Sequence, residues 1–197
     1  KLSFSKNWGL GSSSTLINNL ADWAKVDSYE LLKLTFGGSG YDIACAKHNT
    51  PIQFSNLNNK ICVKEVSFDP VFKKNIFFIY LGKKQNSRDG IQRYRSKKND
   101  ITNNIIKEFT NINQSILKTN NIKEFEEYIN KHELLISNLV GLRTVKDELF
   151  KDYSKGAIKS LGAWGGDFIL ATGTKEDMEY FLKKDYKIIF EYSQLIK

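Results

Sequence analysis

The feature that most constrains this chain is a run of glycine and serine at residues 7–15, Asn-Trp-Gly-Leu-Gly-Ser-Ser-Ser-Thr, which leads directly into an amphipathic segment. Gly9 and Gly11 allow backbone conformations and close approaches that a side chain would block. The serine hydroxyls would lie beside the N–H groups and the positive dipole end of the following helix, an arrangement that suits phosphate. The alternative is that Ser12 or Ser13 caps an ordinary helix, and the loop alone does not decide between the two.

Composition limits the classes of protein and partner. The chain has 197 residues, 41% of them hydrophobic and 13% aromatic, so it can bury a sizeable core. Its net charge of +8 suits an anionic partner, which could be nucleic acid, a membrane surface or a phosphorylated small molecule. Cys45 and Cys62 form neither a metal-binding spacing nor a disulfide framework, which favours a reducing, cytoplasmic setting. We find no signal peptide and no apolar run long enough to span a bilayer.

Hydrophobic periodicity predicts an α+β chain. The first helix is predicted from about Ser12 to Lys25 and the second over 28–35, where Asp27 and Glu30 form a capping box. Further helices are predicted over 101–116, 122–136, 142–153 and 175–184, and strands over 51–54, 61–66, 76–81, 168–171 and 188–192. The opening Lys-Leu-Ser-Phe-Ser predicts the end of a strand with no earlier element to pair with, so we expect a missing N-terminal segment.

Two more glycine segments follow the first, Gly-Ser-Gly-Tyr-Asp-Ile-Ala at 38–44 and Leu-Gly-Ala-Trp-Gly-Gly-Asp at 161–167. In this order the three segments resemble motifs of the GHMP kinases, the superfamily of galactokinase, homoserine kinase, mevalonate kinase and phosphomevalonate kinase. The first is similar to Gly-Leu-Gly-Ser-Ser-Ala-Ala, the second to Ser-Gly-x-Asp and the third to Thr-Gly-Ala-Gly-Gly-Gly. The sequence Gly-Tyr-Asp-Ile-Ala also resembles the motif of a bacterial subgroup that is named for its one-letter code.

The chain departs from the family pattern at several places. Ser14 and Thr15 replace alanines of the first motif, while Leu161 and Trp164 replace a threonine and a glycine of the third. The family's N-terminal motif, which contributes nucleotide and substrate contacts, has no counterpart here. That absence supports truncation, so the fragment need not be active by itself.

The resemblance implies a two-layer architecture and an activity. Residues 1–75 would form the C-terminal part of a βαβ-rich nucleotide-binding domain, and residues 76–197 a ferredoxin-like C-terminal domain. The implied activity is ATP-dependent transfer of a γ-phosphoryl group to a hydroxyl or phosphate of an anionic or polyol small molecule. Mevalonate and phosphomevalonate are the leading acceptors.

The resemblance also implies roles for residues of the first two segments. The ATP-binding set would be Gly9, Leu10, Gly11, Ser12, Ser13 and Ser14. The Ser13 hydroxyl would also face Mg²⁺, and the alternative for that role is the Ser12 hydroxyl. Asp42 would accept or orient the proton of the acceptor hydroxyl, and its alternative is a carboxylate stabilised by a helix dipole. Glu30 is a candidate Mg²⁺ ligand, although the ungapped family match falls on Leu31 and the capping box explains Glu30 without metal.

The third segment and a basic stretch would face the substrate or its phosphate. In the third segment the candidates are Gly162, Ala163, Trp164 and Gly165, and the alternative is a tight connection between two strands. In the basic stretch after the strand at 76–81 they are Lys84, Ser87 and Arg88, and the alternative is a solvated basic loop. His132 lies in a helical core stripe, which favours a structural role.

Three other functions stay open from the sequence. The same superfamily contains an ATP-dependent diphosphomevalonate decarboxylase, a lyase, and members that bind ligand without turnover. A nucleic-acid-binding module would fit the net charge, but acidic residues are interspersed with the basic ones and no nucleic-acid signature occurs. We therefore expect no nucleic-acid or membrane partner, and a homodimer stays open.

Overall fold

The computed structural model describes residues 4–57, 60–83, 87–97, 101–162, 164 and 166–196. The chain divides into two compact units, Lys1–Phe68 and Asp69–Lys197. The helices of the described residues are α1 (Ser12–Ala24), α2 (Ser28–Leu34), α3 (Tyr41–Lys47), α4 (Ser87–Ser96), α5 (Asn103–Lys118), α6 (Ile122–Val140), α7 (Val145–Leu149), α8 (Glu179–Lys183) and α9 (Tyr192–Leu195). The strands are β1 (Ile52–Leu57), β2 (Lys60–Glu65), β3 (Ile76–Tyr80), β4 (Ile158–Ser160), β5 (Phe168–Thr172) and β6 (Ile189–Glu191).

The first unit consists of three short helices followed by a hairpin. Helix α1 contacts both α2 and α3, and α3 contacts β1. Strands β1 and β2 pair antiparallel, with Phe54 opposite Val63. The apolar side chains that α1 and α3 bury completely or nearly so are Ile17, Ala21, Ile43 and Ala44. This is a small core, so the first unit depends on few apolar contacts for its stability.

The second unit is built on a four-stranded sheet of order β4-β5-β3-β6 in which every neighbouring pair is antiparallel. Along the chain, α4–α7 separate β3 from β4, the next strand is β5, and α8 precedes β6. This β-α-β-β-α-β sequence is the ferredoxin-like pattern. The expected α+β class and the ferredoxin-like second half are therefore confirmed.

The core of the second unit joins alternate residues of the sheet to the helical segments around it. Phe77, Ile79, Ile169 and Ala171 project from the two central strands into this cluster, as the period of two in a strand requires. The partners come from outside the central strands: Val145, Phe150, Tyr153, Ile158, Met178 and Phe181. Phe150 and Phe181 are fully buried and pack edge to face, with ring centroids 5.2 Å apart.

Three predictions on local structure are corrected. The helix expected over 142–153 is shorter and comprises only α7, Val145–Leu149. The basic stretch after β3 was expected to be a loop, but the chain turns into α4 at Ser87. The helix expected over 175–184 begins as a 3₁₀ turn, Glu176–Met178, before it continues as α8. In the parts of the chain that the structure describes, no helix combines the length and apolarity needed to cross a membrane.

Candidate functional site

Four of the described helices begin with a polar side chain that caps the first turn, whereas α1 and α3 begin after a glycine without such a cap. Asp27, Thr102, Asn121 and Thr144 accept hydrogen bonds from first-turn N–H groups of α2, α5, α6 and α7. Helix α1 starts instead after Gly11, whose φ of 77° and ψ of 26° are left-handed and whose position brings no capping side chain. The alternative that Ser12 or Ser13 caps this helix is therefore wrong, because both lie inside its first turn.

The three serines of the first segment have different surroundings. The Ser14 side chain is buried, and its hydroxyl donates a 2.9 Å hydrogen bond to the carbonyl of Gly11. Ser13 is exposed and Ser12 is half-buried. Since the first-turn N–H groups of a helix lack intrahelical acceptors, the backbone of Ser12 and Ser13 presents donors at a helix end that no cap side chain occupies. Ser14 instead holds the turn at Gly11 in place.

Asp42 lies in the first turn of α3, which begins after Gly40 in a left-handed conformation with a φ of 85°. A Cβ at residue 40 would come within 3.0 Å of the Tyr29 ring, so the close packing of α2 on this turn also favours glycine. Desolvation by the surrounding protein raises the pKa of Asp42 even though the residue keeps an exposed surface, and the neighbouring Tyr41 hydroxyl acts to lower it. Helix α3 packs against α1, so the first two glycine segments belong to one unit.

Glu30 is exposed in the first turn of α2. The Asp27 carboxylate accepts hydrogen bonds of 2.8 and 2.9 Å from the N–H groups of Tyr29 and Glu30, so the predicted cap at Asp27 is present. Among the described residues, no three His, Cys, Asp or Glu side chains come together as a metal-binding group. A Mg²⁺ role for Glu30 or Ser13 stays a prediction.

The third glycine segment connects β4 to β5 in the second unit. Gly162 and Trp164 have φ angles of 72° and 52°, and Ala163 and Gly165 lie outside the described residues. The Trp164 ring stacks on Tyr94 of α4 with centroids 6.2 Å apart. Asp167 anchors the end of the segment: its N–H donates to the Lys83 carbonyl and its carbonyl accepts from Leu81. The segment is thus tied to the residues that follow β3.

The candidates of the basic stretch fall partly outside what the structure describes. Lys84 lies outside the described residues. Ser87 and Arg88 lie in the first turn of α4, and not in a loop as expected. The sequence did not single out Arg93, which lies farther along the same helix. Arg93 lines a cavity together with Arg143 and Trp164.

His132 has the structural surroundings that the core stripe of α6 indicated. Its Nδ1 accepts a hydrogen bond from Lys159 Nζ at 3.1 Å, and the same ammonium group forms a 3.0 Å ion pair with Glu133. The Phe109 ring packs edge to face on the imidazole. Burial, followed by the charge of Lys159, lowers the pKa of His132 to about 4.

Comparison with known proteins bears on the fold. No family model matches the chain, and no curated protein matches it. Two solved structures superpose on nearly all of it, and their likeness supports the α+β fold described above.

The first of these structures is a Lin0012 protein from Listeria innocua, with a TM-score of 0.65, 19% identity and coverage of 95% of this chain. The second is the mevalonate kinase of L. major in complex with R-mevalonate, with a TM-score of 0.62, 13% identity and coverage of 91%. This chain spans 64% of the length of each of them. At these identities the likeness establishes the fold.

Proposed function

We propose that the polypeptide carrying this chain is an ATP-dependent small-molecule kinase of the GHMP type, which transfers the γ-phosphoryl group to a hydroxyl or phosphate acceptor. The observation that carries the proposal is the start of α1, where a left-handed Gly11 delivers the chain into a helix whose first turn is not capped by a side chain. The GHMP-kinase-like fold supports it, since a mevalonate kinase shares that fold.

The first turn of α1 would hold the ATP phosphates. Backbone N–H groups of Ser12 and Ser13, together with the positive end of the helix dipole, favour a dense negative charge at this end. Ser14 would support the turn through its hydrogen bond to Gly11. Phosphoryl transfer needs positioning and charge neutralisation more than covalent chemistry, so such a cradle supplies a large part of the requirement.

Mg²⁺ would neutralise charge on the β- and γ-phosphates. Hydroxyl and carboxylate oxygens are the ligands that this hard cation takes from proteins, and the exposed Ser13 hydroxyl fits that preference. Glu30 offers a second oxygen donor in the same unit. These two residues are the proposed metal contacts of the chain.

Asp42 would act as the base toward the acceptor hydroxyl. It lies in the first turn of α3, in the same unit as Ser12 and Ser13. It is the carboxylate that the second glycine segment offers for the role of base. A raised pKa makes a carboxylate a stronger base. Mevalonate and phosphomevalonate are the proposed acceptors.

Substitution of Asp42 tests the proposal. We expect Asp42→Asn in the full-length protein to lower turnover by at least 10²-fold, within the usual range for a lost general base, while ATP affinity changes little. The readouts are ADP, phosphorylated product and CO₂, measured in parallel with each acceptor, and ATP binding by calorimetry.

The matched control is Asp22→Asn, since Asp22 is an exposed carboxylate of α1. Near-normal turnover of Asp42→Asn would contradict the assignment of the base. Release of ADP and CO₂ without a phosphorylated product would show a decarboxylase activity and contradict the proposed kinase activity.

A further inference from the structure

A cavity of about 200 Å³ lies wholly within the second unit. Its walls come from α4, from the C-terminal half of α6, from α7 and the turn that precedes it, from the end of β4 and from Trp164 of the third glycine segment. The volume is somewhat larger than the ~150 Å³ cavity that accepts benzene in an engineered protein core. The space is therefore large enough for a small organic molecule.

The charges around the cavity are mostly positive. Lys83, Arg93 and Arg143 line it, and none of the three forms an ion pair with a carboxylate of the described residues. Of the two lining carboxylates, Glu133 is buried and compensated by the 3.0 Å ion pair with Lys159. The second carboxylate, Glu148, is exposed. Since Glu133 is already compensated by Lys159, Glu148 alone stands against the three lining cations, which remain in excess.

The rest of the lining includes aliphatic side chains and two hydroxyl groups that are already hydrogen-bonded. Ile136, Val140 and Val145 supply apolar surface. The Ser137 hydroxyl donates to the Leu142 carbonyl, and the Thr144 hydroxyl donates to Asp147. A ligand that matches these walls has an anionic group for the guanidinium groups and a short aliphatic body for the apolar side.

We propose that this cavity binds a small aliphatic carboxylate or phosphate ester, with Arg93 and Arg143 holding the anionic group. Guanidinium groups bind carboxylate and phosphate in a bidentate manner, which fixes orientation as well as adding affinity. Resting on the proposed function, the bound anion is the acceptor of the kinase, and Trp164 connects its cavity to the third glycine segment. The site thus selects acceptors by their anionic group.

Binding without ATP tests the cavity independently of catalysis. The probes are R-mevalonate for a carboxylate, phosphomevalonate for a phosphate ester, and uncharged mevalonolactone, each titrated by calorimetry into the full-length protein. We expect one or both anions to bind and the lactone to bind at least 10-fold more weakly. The anion that binds more tightly identifies the group that the arginines hold. Absence of binding by both anions at millimolar concentration, or equal binding of the lactone, would overturn the proposal.

Single substitutions then locate the binding to this cavity. Arg93→Gln and Arg143→Gln should each weaken anion binding by about 10-fold or more, the scale of a lost charge-assisted hydrogen bond. Arg95→Gln, two residues along α4 and outside the cavity lining, should leave binding unchanged. Glu148→Gln should strengthen binding, because it removes the exposed carboxylate. Unchanged affinity in both Arg93→Gln and Arg143→Gln would overturn the assignment.

The two proposals fail in different ways. Anion binding that depends on Arg93 and Arg143, without phosphoryl transfer in the complete assay, would retain the cavity and remove the kinase. If phosphoryl transfer occurs and neither arginine variant changes the KM for the acceptor, the kinase proposal stands. The cavity is then not the acceptor site. Equal urea midpoints for all variants establish that lost binding is not lost folding.

Discussion

At the scale of single residues, His132 shows how burial turns an ionisable side chain into a structural one. The imidazole accepts a hydrogen bond from Lys159 Nζ, whose positive charge opposes protonation of the ring. Glu133, also bonded to that ammonium group, compensates the lysine charge. His132 is therefore a neutral hydrogen-bond acceptor where α6 packs on β4. Its low pKa follows from this packing and does not indicate a catalytic role.

This pKa makes stability depend on pH in a defined direction. The pKa of His132 is about 4 in the folded chain, against 6.5 as the ordinary value, so between these values the unfolded chain binds a proton that the folded chain does not. The stabilisation is present above about pH 6.5 and is lost as the pH falls toward 4. At 1.36 kcal/mol for each pKa unit, the loss is on the order of 2 to 3 kcal/mol.

Urea unfolding at several pH values measures this contribution. We expect His132→Gln, whose amide oxygen can still accept from Lys159, to lose less unfolding free energy than the parent between pH 7 and pH 4.5. Carboxylates elsewhere titrate in both proteins, so the difference between the two curves isolates residue 132. Parallel curves would contradict the lowered pKa.

At the scale of elements, α1 differs from a helix that buries its whole apolar stripe. Ile17 is 3% exposed, whereas Trp23 is 82% exposed and Leu16 and Leu20 are also exposed. The periodicity correctly predicted an amphipathic helix, but periodicity does not say which apolar residues a given unit will cover. In this unit the contacts with α2 and α3 use only the narrow strip around Ile17 and Ala21.

Paired substitutions on α1 measure that difference. Ile17→Ala should lower the unfolding free energy of the first unit by roughly 2 to 5 kcal/mol, because it leaves a cavity between packed helices. Trp23→Ser, on the same helix, should change it by no more than about 0.5 kcal/mol, since the ring is already in solvent. Urea unfolding followed by circular dichroism is the measurement. A larger loss for Trp23→Ser than for Ile17→Ala would contradict the described packing.

Local signals explain which elements could be predicted. The ends of α1 and α2 agree with prediction to one residue, because glycine and the Asp27 cap mark them. Helix α4 was missed because Ser-Arg-Asp-Gly-Ile-Gln-Arg-Tyr-Arg-Ser contains a glycine and a single aliphatic residue, so it carries no apolar stripe. Tyr94 of α4 stacks on Trp164, a tertiary contact that no local pattern indicates.

At the scale of the whole molecule, the order of the three glycine segments predicted the fold, whereas the cavity needed the structure. The segments are contiguous stretches, so each one can be recognised along the chain. Arg93 and Arg143 lie far apart in sequence, and tertiary packing brings both to one cavity. Charge clusters of this kind leave no local pattern, and composition shows them only as a net charge of +8.

The two compact units differ in what stabilises them. The second has a complete four-stranded sheet and a core that includes the fully buried Phe150 and Phe181. The first has 68 residues, a two-stranded hairpin and a small buried apolar set, while three apolar side chains of α1 face solvent. Because small units bury a smaller fraction of their surface, we expect the first unit to unfold before the second.

Tryptophan fluorescence can follow each unit separately, since Trp8 lies in the first unit and Trp164 in the second. In variants that keep only one of them, with phenylalanine at the other tryptophan positions, the Trp8 signal should change at a lower urea concentration than the Trp164 signal. Circular dichroism on both variants should show the same two transitions, which controls for the phenylalanine substitutions. Coincident midpoints would show that the units unfold as one cooperative body. A lower midpoint for Trp164 would reverse the order, and the small core around Ile17 and Ile43 would then be the more stable one.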